Sequence, residues 1–160
     1  MTVRICAGWY KKLSQSGVIL FYLAKRSGKF LPASEEQRLE ALRWIIFDNQ
    51  KVGGTLGPYR FFRCFAKPPG HPAVLDFLKG RAESALAVVD KRLSRRAYIL
   101  GDEPTIADVS MTSYLYYPPD EFGFDIAAQY KNIGAWLSRI KSWPRWAHPY
   151  DLMPGHPLPR

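Results

Sequence analysis

Cysteine is scarce: the 160-residue chain has two, Cys6 and Cys64. Two thiols so far apart do not make the disulfide framework of a small secreted scaffold, and a reducing, cytoplasmic setting is expected. Histidine is almost as rare. His71, His148 and His156 show no metal-ligand spacing with each other or with cysteine, so no metal is expected. No apolar run approaches the ~20 residues of a membrane-spanning helix, and no membrane partner is expected. The Lys11-Lys12 pair ahead of "GVILFYLA" is interrupted by Ser14-Gln15-Ser16, and "AKRSGK" offers no small-residue cleavage site, which argues against a secretory signal. Phosphate-binding glycine loops, a Gly-x-Ser-x-Gly elbow, internal repeats and low-complexity tracts are all missing.

Acidic residues are also in short supply. Fourteen Asp/Glu face 23 Lys/Arg, for a net charge of +9 and a pI near 9.7. The excess lies entirely in residues 1–100, with 18 basic and 7 acidic residues; residues 101–160 carry 5 and 7. The cations are spread through helical patterns and no nucleic-acid module accompanies them. The expectation is a solvated basic face that attracts anionic ligands, with no nucleic-acid partner.

What is present is material for a core: 47% hydrophobic and 14% aromatic residues. "MTVRICAGWYKK" reads as two short strands with a turn at Ala7-Gly8, a hairpin too small to stand alone. Helical spacing runs from Ser16 to about Lys25-Arg26, with Gly28 placed to end it. Ser34 and Gln37 have capping-box spacing, Glu35 and Glu36 suit a helix N-terminus, and Leu39, Leu42 and Ile46 predict one apolar face. Gly53-Gly54 and Gly57-Pro58 are expected to kink or end that helix. The aromatic residues Tyr59, Phe61, Phe62 and Phe65 follow, as packed core or as the lining of an apolar pocket.

After the "AKPPGHP" loop, Leu75, Leu78, Ala82, Ala85, Leu86, Val89 and Leu93 form a long stripe whose alanines permit close helix approach. A further helix lies within "YILGDEPTIADVSMTSYLYYPP". A last one carries Ile133, Trp136, Leu137 and Ile140 and stops before Pro144, and the proline-rich tail from His148 is expected to lie extended. From about residue 30 onward the pattern is an all-helical bundle. In "GDEPTIADVSM", Thr105 is an N-cap and Asp108, three residues on, can return a bond to it. Asp108 is therefore read as a structural cap rather than a catalytic acid.

Three segments carry a family resemblance. "GDEPTIADVSM" resembles the cap that starts the central helix of the helical domain in the glutathione S-transferase superfamily. "QSGVILFYLA" is similar to the family's Gln/Glu-Ser segment, and "NIGAWLSRIKSWP" to its late helix with Trp and a following proline. They occur in the family's order from Ser14 to Tyr150.

The resemblance implies an all-α bundle of the C-terminal type at residues 30–160. Residues 1–29 become a remnant of the thioredoxin-like domain: a hairpin and one helix. It implies glutathione as co-substrate, an apolar electrophile and a homodimer. It also implies that Gln15 and Ser16 hold the γ-glutamyl end of glutathione; an amide and a hydroxyl beside free helix N–H groups suit a carboxylate. On the residues alone, Ser14 or Ser16 could instead merely cap the helix.

The family's thiol-activating Ser, Tyr or Cys and its cis-proline have no counterpart upstream of Gln15. The first proline is Pro32, and neither Cys6 nor Tyr10 matches the activating position. No catalytic residue is therefore assigned, and this polypeptide alone is expected to be an inactive, truncated transferase. The alternative is a helical interaction or scaffold module without catalysis.

Overall fold

The computed structural model describes residues 2–7 and 9–152, and side chains from Leu13 onward. Strands β1 (Thr2–Ala7) and β2 (Trp9–Ser14) pair antiparallel, with Thr2 opposite Ser14 and Ala7 opposite Trp9. The expected hairpin is thus present, while Gly8 of its turn lies outside the described residues. Helix α1 (Ser16–Ser27) ends as read, on Gly28 in the left-handed region (φ 70°), whose N–H reaches the Ala24 carbonyl.

The second helical stretch is longer than the glycines suggested. Helix α2 (Glu35–Phe47) passes through a π-turn (Asp48–Val52) into α3 (Gly53–Cys64). Ser34 accepts from the Gln37 N–H at 3.1 Å and opens the helix, though only this half of the capping box forms. The kink expected at Gly53-Gly54 becomes the π-turn just before them. A Cβ on Gly54 would meet the Asn49 carbonyl oxygen at 2.6 Å, so the turn requires glycine there.

The buried face of α2 corrects the sequence reading. Ala41, Trp44 and Ile45 face the core, whereas Leu39, Leu42 and Ile46 are exposed at 60%, 40% and 47%. Two apolar stripes run along this helix, and the inner one carries the large ring. The aromatic reading also divides. Tyr59 is buried and donates to the Phe122 carbonyl at 2.9 Å, while Phe61 and Phe62 are exposed and pack edge-to-face on each other.

Helix α4 (Pro72–Leu93) buries the predicted stripe from Ala82 to Leu93, with Leu75 and Leu78 partly covered. It also caps a distant helix. Asp90 on α4 accepts from the N–H groups of Asn132 and Ile133 at 2.9 and 3.0 Å, at the start of α8 (Lys131–Lys141). The four predicted apolar residues of α8 are all buried.

Between them lie α5 (Ile106–Met111), α6 (Pro119–Phe122) and α7 (Ile126–Gln129). The helix expected from "YILGDEPTIADVSMTSYLYYPP" is therefore short and gives way to turns. The tail is not wholly extended: α9 (Pro149–Leu152) is a helical turn, and residues 153–160 lie outside the described residues. It is anchored where the Tyr150 hydroxyl meets Arg60 at 2.7 Å and Glu121, itself ion-paired to Arg60. The molecule is an all-α bundle preceded by a hairpin. No helix of the described residues is long and apolar enough to cross a membrane.

The capping box of α5 forms in full, and more than a cap depends on it. Asp108 is completely buried and accepts from the N–H groups of Ile99 (2.9 Å) and Thr105 (2.8 Å), the Thr105 hydroxyl (3.1 Å) and the Trp136 indole (3.0 Å). Asp108→Ala is expected to cost at least ~3 kcal/mol, beyond an ordinary cap, because it strands buried donors from three segments. Urea denaturation of the variant checks this, and a loss near 1 kcal/mol would match a simple cap instead.

Candidate functional site

Helix α1 begins abruptly at the end of β2. Gln15, the residue before its first turn, has φ 69° and ψ 119°, a conformation costly for a residue with a side chain. Its side chain makes no capping hydrogen bond. Ser14 and Ser16 do not cap the helix either, which removes the simpler structural role open to them from sequence. The first N–H groups of α1 have no partner within the helix by geometry, and the exposed Gln15 and Ser16 stand beside them.

Ser16 opens onto a cleft of about 580 Å³ between α1, the π-turn and α5. Ile19, Leu20 and Leu23 form the α1 wall; Asp48, Asn49, Gly53 and Gly54 the π-turn side; Val109, Ser110, Ser113 and Tyr114 the far side. Small residues make the approach possible. A Cβ on Gly17 would meet the Ile45 Cγ2 at 2.7 Å, so α1 lies directly on α2. A Cβ on Gly57 would come within 3.2 Å of the Tyr114 hydroxyl.

The polar element that sequence reasoning missed is Asp48. The π-turn places this carboxyl at 4% exposure against the cleft, where it accepts from the Ser110 hydroxyl at 2.7 Å, while the nearby Gly53 N–H donates to the Asp48 backbone carbonyl. Burial pushes its pKa up to about 6, and the Ser110 bond and the nearby Gly53 N–H only partly offset it. No motif marks Asp48, because its setting depends on a shift of helical register and on Ser110, 62 residues away. Among the described residues no cluster of three or more His, Cys, Asp and Glu could hold a metal ion. Cys64 is a free thiol, partly buried, that donates to the Glu121 carbonyl at 3.2 Å.

Residues 72–139 match the family "Glutathione S-transferase, C-terminal domain". The disulfide-bond oxidoreductase YghU of Escherichia coli is 29% identical over 140 residues, covering 83% of this chain and 48% of that protein. The chain thus spans about half the length of this curated relative. Among solved structures, a glutathione S-transferase from Pseudomonas fluorescens aligns with TM-score 0.75 and 32% identity, covering 85% of this chain and 67% of that one. A glutathione transferase from Burkholderia graminis, solved with two glutathione molecules per subunit, aligns with TM-score 0.76 and 29% identity over 86% and 59%.

The elevated Asp48 pKa has a definite sign. Its folded value lies above the ordinary carboxylate range, so the folded state holds a proton that the unfolded chain releases between about pH 4 and 6. Asp48 therefore costs stability progressively as pH rises through that window, and above it the full penalty of about 3 kcal/mol applies. Asp48→Asn keeps the shape without the charge. Its stability gain over the parent chain is expected to grow between pH 4.5 and 7.5 in urea melts; a constant difference would refute a buried titrating group.

Proposed function

Because the chain belongs to the glutathione S-transferase superfamily, we propose that the cleft at the start of α1 receives the γ-glutamyl end of glutathione, held by Gln15 and Ser16. The observation that carries this reading is the uncapped N-terminus of α1: a strained, exposed Gln15 and a free Ser16 hydroxyl beside unpartnered N–H groups. Such an end attracts a carboxylate through its N–H groups and the helix dipole. Asp48, ionised above about pH 6, places negative charge behind the cleft and suits the neighbouring ammonium of the same ligand. The apolar wall of Ile19, Leu20 and Leu23 suits an apolar electrophile.

The parent chemistry is attack of the glutathione thiolate on an electrophilic carbon, which displaces a leaving group or adds across an activated double bond. Residues 1–29 derive from the thioredoxin-like, glutathione-binding domain and residues 30–160 form the helical domain. The chain supplies Gln15 and Ser16 of the cradle and the apolar wall of the cleft. We place the protein in the cytoplasm, where glutathione is maintained reduced.

Titration calorimetry with reduced glutathione tests the cradle. Ser16→Ala and Gln15→Ala are each expected to weaken binding roughly tenfold, the value of a hydrogen bond to a charged group; unchanged affinity in both would refute the assignment. A conjugation assay with a generic aromatic electrophile is expected to show no turnover by the 160-residue chain, and clear turnover would overturn that half of the reading.

A second feature supports a partner rather than chemistry. Leu39 and Leu42 border a groove of about 340 Å³ whose rim carries Lys25, Glu35 and Arg38, charges of both signs. We assign this face to a second copy of the chain, since a mixed rim can pair with itself across a two-fold axis. Light scattering is expected to give a dimer for the parent chain and a monomer for Leu39→Glu; a parent chain that is monomeric at high concentration would exclude this interface.

A further inference from the structure

Five arginines lie along a path from α2 over the end of α4 to α8. Arg43 on α2 grips Glu40 with both arms, Nε to Oε2 and Nη2 to Oε1, each at 2.7 Å. Arg92 on α4 reaches the same Oε1 at 3.4 Å while its Nε donates to the Ile99 carbonyl at 2.8 Å. Arg95 and Arg96 follow just past the end of α4, both exposed. Arg139 on α8 extends the row: its Nε donates to the Ala97 carbonyl at 3.2 Å and its guanidinium lies 6.0 Å from the centre of the Tyr98 ring.

This row is under-neutralised. Among the described residues Glu40 is the only carboxylate within 4 Å of any of the five, and Arg95, Arg96 and Arg139 have no ionic partner. The crowding is felt: burial, then repulsion from Arg96 and Arg43, holds Arg92 below its ordinary pKa despite the opposing pull of Glu40. A helix C-terminus favours cations in its own last turn, which accounts for Arg92. It does not account for Arg95 and Arg96 beyond the helix, or for Arg43 and Arg139 from other helices. None of the five lines the glutathione cleft.

We propose that this row is a docking surface for an acidic polypeptide segment, a run of Asp and Glu side chains on a partner protein. The argument for carboxylates is the geometry already formed: Glu40 is held in a fork by one arginine, approached by a second, and bonded by the Trp44 indole at 2.9 Å. Arginine provides the rigid planar fork that this recognition uses; lysine does not. Arg95 and Arg96 offer the same fork with no carboxylate in it, and Arg139, its Nε already bonded to Ala97, adds its terminal nitrogens. The surface takes an extended acidic chain rather than a single small anion, because its cations are strung across α2, the end of α4, the turn that follows it and α8.

Fluorescence anisotropy with a labelled deca-glutamate peptide tests this on the full chain at low ionic strength. Binding is expected, weakening steeply with added salt, and the exposed pair Arg95→Glu/Arg96→Glu is expected to reduce affinity roughly tenfold or more. Lys79→Glu, elsewhere on α4, is expected to leave it unchanged, and far-UV circular dichroism establishes that both variants fold. Three results would overturn the proposal: no binding at low salt, equal loss in both variants, or tighter binding of a single-stranded oligonucleotide with the same number of charges.

Discussion

The buried carboxylate of Asp108 is the constraint on which the rest of the bundle depends. A charge taken fully out of water is costly unless its oxygens are satisfied, and here donors from the 98–101 turn, the cap at Thr105 and the indole of Trp136 satisfy them. Those donors come from separate segments whose Ile99, Ile106 and Trp136 side chains are also buried in the core. The Ile106 N–H, adjacent to the cap, is taken by the Phe30 carbonyl at 3.0 Å, so the link between α1 and α2 is fixed to the same helix start. Phe30 in turn stacks on Trp143, 5.3 Å between ring centres. One side chain thereby sets where α5 begins, how α8 lies on it and where the chain leaves α1.

That placement reaches the cleft directly. Ser110 is two residues beyond Asp108 on the same short helix, and its hydroxyl holds Asp48 across the cleft floor. The opposite side depends on absence of bulk. Gly17 lets α1 touch Ile45, and Gly57 lets α3 pass beside Tyr114. A rigid cap on one side and glycine contacts on the other fix the cleft width. The residues lining the cleft are thus placed by the scaffold and by the Ser110–Asp48 hydrogen bond.

Local signals in the sequence revealed the elements that local physics determines. The Thr105–Asp108 cap, the Gly28 stop, the alanine-rich stripe of α4 and the four apolar residues of α8 all follow from spacing within one or two turns. The failures share one cause: the deciding contact is distant. Along α2 both Leu39-Leu42-Ile46 and Ala41-Trp44-Ile45 fit helical spacing, and only packing against the rest of the bundle selects the second. The π-turn shifts the register at Asp48 with no composition that announces it. The exposure of Phe61 and Phe62 likewise depends on what lies over α3. At the candidate site, family resemblance pointed to Gln15 and Ser16, whereas no sequence signal pointed to Asp48 and Ser110, which are joined only by the fold.

Three buried carboxylates separate structure from function more sharply than any motif does. Asp108 sits among neutral donors from three segments and has no spare capacity; its geometry is that of a fixed joint. Glu121, 1% exposed, is paired with Arg60 and with the Tyr150 hydroxyl, and so spends its charge on holding the tail against α3. Asp48 accepts one side-chain hydroxyl, and burial raises its pKa to about 6. A carboxylate left short of partners costs stability that a structural role would not require. Asp48 alone of the three also lines the cleft. Burial raises the pKa of both Asp108 and Asp48, but only at Asp48 do a sparse hydrogen-bond set and a position on the cleft wall coincide.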